Sequence, residues 1–221
     1  MKLVFPEFET PLHFAEGSFP SVVIENHGLF YRFVEDLHRQ TCGEEGVAVL
    51  SSDDEPIPFP EHLDLVTEFF PFAINRKALL NKVIAELGKR ALAPEFYARS
   101  QQLFSQVENL IRDLAFLEDL ELDLPPFSAG ALLKAAGVSL KEDYPSLAEK
   151  MLVYMDLMTG YGLAEVFVFV NLRCLLEDSV MELFTDSCCR KGYDILLVDS
   201  HAYSKLARER RTVIDAELCE F

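Results

Sequence analysis

Glu165–Asn171 reads EVFVFVN, and Asp194–Asp199 reads DILLVD. Each is an unbroken apolar run of strand length closed by polar residues. A strand that is apolar on both sides is buried on both faces, which is the habit of parallel sheets. Glu177–Arg190 lies between the two runs and has the composition of an amphipathic helix. Parallel neighbours need such a crossover, so the pair predicts a βαβ unit.

The same pattern extends outward. Pro145–Met158 reads as a helix stopped by Thr159-Gly160-Tyr161-Gly162. Near the start, Ser21–Ile24 reads as a strand that passes through Glu25-Asn26-His27-Gly28 into a helix over Leu29–Gln40. Phe30, Phe33, Val34 and Leu37 share one face of that helix. Val47–Leu50 and Leu63–Phe70 are further strand candidates, separated by the proline-rich loop Asp53–Pro60. From Asn75 the period becomes helical. Leu79, Leu80, Val83, Ile84 and Leu87 mark one helix, stopped near Gly88 and Pro94. Leu103, Val107, Leu110, Ile111, Leu114 and Leu117 mark a longer one, running from Pro94 toward Pro125-Pro126. The expected architecture is an α/β head over 1–72 and 138–221, with an α-helical leg inserted over 73–137.

Half of the 221 residues are hydrophobic and 18 are Phe, which predicts a packed globular protein. No apolar run reaches the roughly 18–20 residues of a membrane span. The start lacks a signal-peptide core, and five irregularly spaced cysteines do not form a disulfide framework. These features read as a reduced, cytoplasmic protein that does not enter a membrane. The vicinal Cys188-Cys189 has no CxxC and no histidine at a zinc spacing, and reads as two small helix residues.

Charge is segregated. The chain carries 20 Lys+Arg against 37 Asp+Glu, a net charge of −17, yet Arg76–Arg112 holds seven basic and three acidic residues. Glu86, Glu95 and Glu108 each precede an arginine by four positions, the favourable order for a helical ion pair. Those pairs account for Arg90, Arg99 and Arg112. Arg76, Lys77, Lys82 and Lys89 remain, and Lys82 and Lys89 share a face. Such a strip suits a phosphate backbone. A second basic group, Lys205, Arg208, Arg210 and Arg211, reads as a solvated tail, with contact to DNA or to a neighbouring subunit as the alternatives.

Enzymatic signatures are sparse. Asp199 closes an apolar strand as a Walker B carboxylate does, but no GxxxxGK[ST] exists. The turn Glu25-Asn26-His27-Gly28 has one glycine and no lysine. No GxSxG is present, and the five histidines are scattered. The oxygen-rich cluster Glu118, Asp119, Glu121 and Asp123 suits calcium chemically, without the spacing of an EF-hand.

The order and spacing of several pieces resemble a known family. The pieces are Pro11-Leu12; Phe19–Ile24 leading into a helix; Phe72-Ala73-Ile74-Asn75; Glu121-Leu122-Asp123-Leu124; Leu132–Val138; Val166–Asn171; Leu175-Leu176-Glu177-Asp178; and Asp194–Val198. Together they resemble the short form of the type II-A CRISPR-associated spacer-acquisition protein, the Csn-two family, over nearly the whole chain. The resemblance implies a head with a degenerate P-loop-like, parallel or mixed sheet and no nucleotide hydrolysis. It implies homotetrameric rings that hold double-stranded DNA in a basic lumen and prefer ends. The partners it implies are the CRISPR integrase proteins and the RNA-guided effector nuclease. It also implies structural calcium, with Asp119, Glu121 and Asp123 as the carboxylates, although Pro125-Pro126-Phe127 stands where relatives continue with acids. Charge and leg position together nominate Arg76, Lys77, Lys82, Lys89, Arg90 and Arg99 for DNA. Two other readings stay open: a P-loop-like ATPase or kinase relative, and an acidic scaffold for protein partners.

Overall fold

Unbroken apolar runs become the centre of a parallel sheet. In the computed structural model, which describes residues 1–221, the chain divides into two units. One is a head of Met1–Ala73 with Asp143–Phe221, and the other is a leg of Ile74–Glu142. The head begins with β1 (Lys2–Val4), β2 (Leu12–His13), β3 (Phe19–Ile24), α1 (His27–Thr41), β4 (Val49–Ser52), β5 (Glu55–Pro56), the one-turn α2 (Phe59–His62) and β6 (Leu63–Val66). The leg supplies α3 (Lys77–Ala91), α4 (Pro94–Leu117) and α5 (Ala129–Ala135). The head resumes with α6 (Leu147–Gly160), β7 (Val166–Val170), α7 (Asp178–Lys191), β8 (Asp194–Asp199) and β9 (Glu209–Ile214).

The fold is mixed α/β with seven helices. A five-stranded sheet in the order β6-β7-β8-β3-β9 is parallel throughout. A smaller antiparallel sheet has the order β2-β1-β4-β5. Strand alternation sorts the residues of the large sheet. Val22, Ile24, Val168, Val170, Leu196 and Val198 share a core with Leu29, Phe33 and Leu37 of α1. On the opposite face Phe169 meets Phe184 of α7 edge to face at 5.6 Å, as aromatic quadrupoles prefer.

Two expected strands shift: Val47–Leu50 becomes Val49–Ser52, and of Leu63–Phe70 only Leu63–Val66 pairs. The long helix was expected to run toward Pro125-Pro126 but ends at Leu117. Its last turn has no basic residue, and acids follow it, which opposes the macrodipole. Asp119 then takes a left-handed φ of 52° and turns the chain out.

The leg expected over 73–137 stops short of the observed unit, because Glu142 belongs to its root. That carboxylate accepts hydrogen bonds from the backbone N–H of Ile74 (3.0 Å) and of Asn75 (2.8 Å), and from Asn75 Nδ2 (2.7 Å). Asn75 also bridges both backbone groups of Leu140. Inside the leg Gly88 lies against Gly130, where an added Cβ would meet the Gly130 nitrogen at 3.4 Å. The leg core is thin: Ile74, Leu79, Val83, Ile84, Phe104, Ala115 and Ala129. Of the 24 residues of α4 only Phe104 and Ala115 are buried. The stripe read from sequence therefore faces outward, with Leu110 58% and Leu117 76% exposed. Two neighbouring helices are too few to cover it.

Candidate nucleic-acid interface

The two units divide the charge unevenly. The leg carries nine basic and nine acidic side chains and is neutral, so the whole −17 resides in the head. A polyanion is repelled by the head and not by the leg.

Within the leg the six nominated cations separate by partner. Lys77, Lys82, Lys89 and Arg90 are exposed on α3, and Arg99 is exposed on α4. Arg76 is the half-buried N-cap of α3 and has interactions of its own. The sequence assigned Glu86 to Arg90. Instead Glu86 accepts a hydrogen bond from Lys89 at 2.7 Å, and its carboxyl is held below the usual range chiefly by that bond. The expected Glu95–Arg99 pair does not form, whereas Glu108–Arg112 does, at 2.7 Å. The cations outside any ion pair are thus Lys77, Lys82, Arg90 and Arg99, a different four from those the spacing gave. Fixing a long side chain in an exposed pair costs rotamer entropy and gains little Coulomb energy, so spacing alone does not decide the choice. Lys77 is informative in another way. It sits in a first turn with no acid, where a cation opposes the helix dipole. Helix stability does not account for that placement.

The second basic group is not a solvated tail. Arg208 pairs with Asp186 at 3.0 Å, and Arg210 donates to the His13 carbonyl. Arg211 is half-buried and donates to Glu209 at 2.7 Å and to the Tyr203 carbonyl at 2.6 Å. Glu209 also accepts from Ser21 Oγ at 2.5 Å and from the Leu206 N–H. Burial alone would raise its carboxyl, but these bonds outweigh it and hold the group below the ordinary range. The same network contains Arg173, 4% exposed, which lies 3.5 Å from Glu209 and donates to the Ser204 carbonyl. Sequence gave no sign of Arg173, because a buried arginine after a strand reads like a surface one.

Asp199 faces this network. It is 1% exposed, its Oδ1 has no hydrogen-bond partner, and burial pushes its pKa up to about 7, with Arg173 opposing and Glu209 adding to the rise. A Walker B carboxylate must be ionised and open to a cation, and this one is enclosed. The turn from β3 into α1 is exposed at Glu25, His27 and Gly28, but its Asn26 side chain is committed. Asn26 caps α1 through the Leu29 N–H at 3.0 Å and donates to the Ala216 carbonyl.

Asp119, Glu121 and Asp123 leave α4 in a segment without regular structure, and residues 121–127 make no backbone hydrogen bonds that would curve them around a centre. No group of three or more His, Cys, Asp or Glu gathers to hold a metal ion. These three carboxylates are therefore not gathered around one centre within one protomer. Cys188 is buried in α7, where burial pushes its thiol up, and all five cysteines are free. No helix is long and apolar enough to cross a membrane.

Three comparisons bear on this arrangement. No curated protein matches the chain. Among solved structures, a nucleotide-free ATP-binding cassette from an ABC transporter aligns over 100% of this chain and 91% of its own, at 11% identity and a TM-score of 0.47. The family model described as CRISPR-associated protein (Cas_Csn2) matches residues 40–218, spanning β4–β9 and the whole leg. The chain belongs to the CRISPR-associated Cas_Csn2 family.

Proposed function

We propose that the chain is a non-enzymatic protein of spacer acquisition that binds double-stranded DNA. It assembles as a homotetrameric ring whose leg cations face a shared lumen. Binding is independent of sequence and favours ends, because a closed ring must be threaded. The integrase proteins and the RNA-guided effector nuclease are its working partners. The observation that carries this reading is the neutral leg, with Lys77, Lys82, Arg90 and Arg99 outside any ion pair, on a chain whose net charge is −17. Four cations on one protomer hold DNA weakly, so the reading requires assembly. The outward stripe of α4 supports assembly, since apolar patches of that kind mark contact surfaces. No step is routed through calcium, and the enclosed Asp199 favours a head without nucleotide chemistry.

Native mass measurement combined with electrophoretic retention of linear and closed circular duplex tests it. The expected result is a tetramer that retains linear duplex. If six phosphates are neutralised, affinity falls by about a thousandfold between roughly 50 and 200 mM salt. A monomer that retains no duplex at low salt defeats the reading.

A further inference from the structure

One exposed face of α4 follows a seven-residue repeat. Phe96, Ser100, Leu103, Val107, Leu110, Leu114 and Leu117 are spaced four and three apart by turns, and all but Ser100 are apolar. That is the a/d pattern of a coiled-coil seam, with Ser100, Val107 and Leu114 as a and the others as d. Phe96, Leu103, Leu110, Leu114 and Leu117 are exposed, and Val107 is half-buried. At 3.6 residues per turn the seam lies about 100° around the helix from Phe104 and Ala115, the residues that α4 buries. The leg uses one face of α4 and leaves a second, coiled-coil face without a partner.

The two ends of this seam are complementary. Its N-terminal end borders an apolar cleft of about 330 Å³, lined by Leu87, Ala91, Phe96, Leu103 and Leu132 among others. Ser100 lines the cleft too, and its hydroxyl is already committed to the Ala91 carbonyl at 2.8 Å. The helix terminus there has no side-chain cap. The C-terminal end presents the exposed Leu117, followed by Glu118 and Asp119, acids that oppose their own helix dipole. Leu117 cannot fill the cleft of its own chain. It lies 17 residues along α4 from Ser100, about 25 Å.

We infer that α4 pairs with α4 of a second copy as an antiparallel coiled coil about a two-fold axis. Antiparallel layers set an a residue against a d residue. The register that engages the whole seam sets Val107 against the partner's Leu110, Leu103 against the partner's Leu114, and Ser100 against the partner's Leu117. Ser100, the one small residue of the seam, leaves room in the cleft for that leucine. Glu118 and Asp119 then reach the partner's uncapped helix N-terminus, where negative charge is favourable. A parallel pair would set Asp113 beside the partner's Glu118, a like-charge contact made twice. The antiparallel pair sets Asp113 beside the partner's Gln106 instead. Such a contact closes at two copies, so a ring of four needs a further contact elsewhere. The inference rests on the self-association proposed above and names its surface.

The test places a photo-crosslinker in the full chain, Leu117→p-benzoylphenylalanine, and mixes unlabelled with ¹⁵N-labelled copies. Mass spectrometry of the irradiated mixture is expected to find cross-links between copies at residues 96–104. Cross-links at 114–118, cross-links spread over the surface, or none where the parent chain associates, overturn the inference. A second measurement reads the register. Leu103→Glu and Leu114→Lys should each weaken self-association at least tenfold in sedimentation, with circular dichroism unchanged. Together they set opposite charges across two layers and should recover at least tenfold over the weaker single variant. Single variants that associate as the parent does, or a double variant without recovery, also overturn it. If cross-links map elsewhere while the chain assembles and retains linear duplex, the seam is wrong and the DNA reading stands. If the seam cross-links as expected but no duplex is retained at low salt, the reverse holds.

Discussion

Glu86 takes its hydrogen bond from Lys89, three residues on at 2.7 Å, and leaves Arg90 outside any ion pair. The choice determines which charges of α3 are available to a phosphate. Charge reversal at Arg90 or Lys82 is expected to weaken duplex binding similarly for all sequences and to flatten the salt dependence by about one unit per site. Reversal at Lys89 should cost less, because Glu86 already screens it. Filter binding at several salt concentrations measures this, and equal losses at Lys89 and Arg90 would show that the pair does not persist in solution.

The outward stripe on α4 predicts a separation of assembly from folding. Leu110→Glu with Leu114→Glu places charge on residues that are more than half exposed, so circular dichroism should stay unchanged. The sedimentation coefficient should drop to that of a smaller species, and DNA retention should fall with it. If the double variant still forms the full assembly, the stripe is not the contact surface.

Asp199 makes head stability depend on pH in an uncommon direction. An unfolded aspartate titrates near 3.8, whereas burial raises the folded group to about 7. The unfolded state therefore loses its proton first as pH rises. Stability from this group is intact below about pH 4, declines through the window to about pH 7, and is flat above it. The loss is on the order of 4 kcal/mol. Asp199→Asn should melt above the parent chain near pH 8 and match it near pH 4. A variant less stable than the parent at both values would mean that the carboxylate is a favourable partner of Arg173 when ionised.

Glu142 closes the root of the leg by accepting from three N–H donors. Glu142→Ala leaves those donors without that acceptor and should cost on the order of 2–3 kcal/mol. The loss should appear as faster hydrogen exchange at Ile74 and Asn75, while the β7 and β8 amides stay protected. Uniform destabilisation of the head amides would contradict this local role.

Calcium should bind the single chain weakly. Titration of metal-free protein is expected to show no site tighter than about 10 μM, the weak end of the sensor range. A tighter site that Asp119→Asn abolishes would show that the segment can fold around the ion.

What was legible in the sequence followed burial. The runs Val166–Val170 and Asp194–Val198 read as parallel strands because a two-sided core leaves them no polar alternation. The leg helices were legible from their period, but the period does not report which side is covered. The α4 stripe therefore looked like core and is surface. The ion pairs of α3 were misassigned because i,i+3 and i,i+4 partners compete within tenths of a kcal/mol. Arg173 meets Glu209 only when β7, β8, β3 and β9 are laid side by side, so no local spacing records that contact.

The thin core of the leg makes concentration a folding variable. If much of the apolar surface of α4 is covered only by other molecules, dilution acts on the leg as a mild denaturant. Its helices should fray, and proteases should cut there first, as the protein is diluted below the dissociation constant of the assembly.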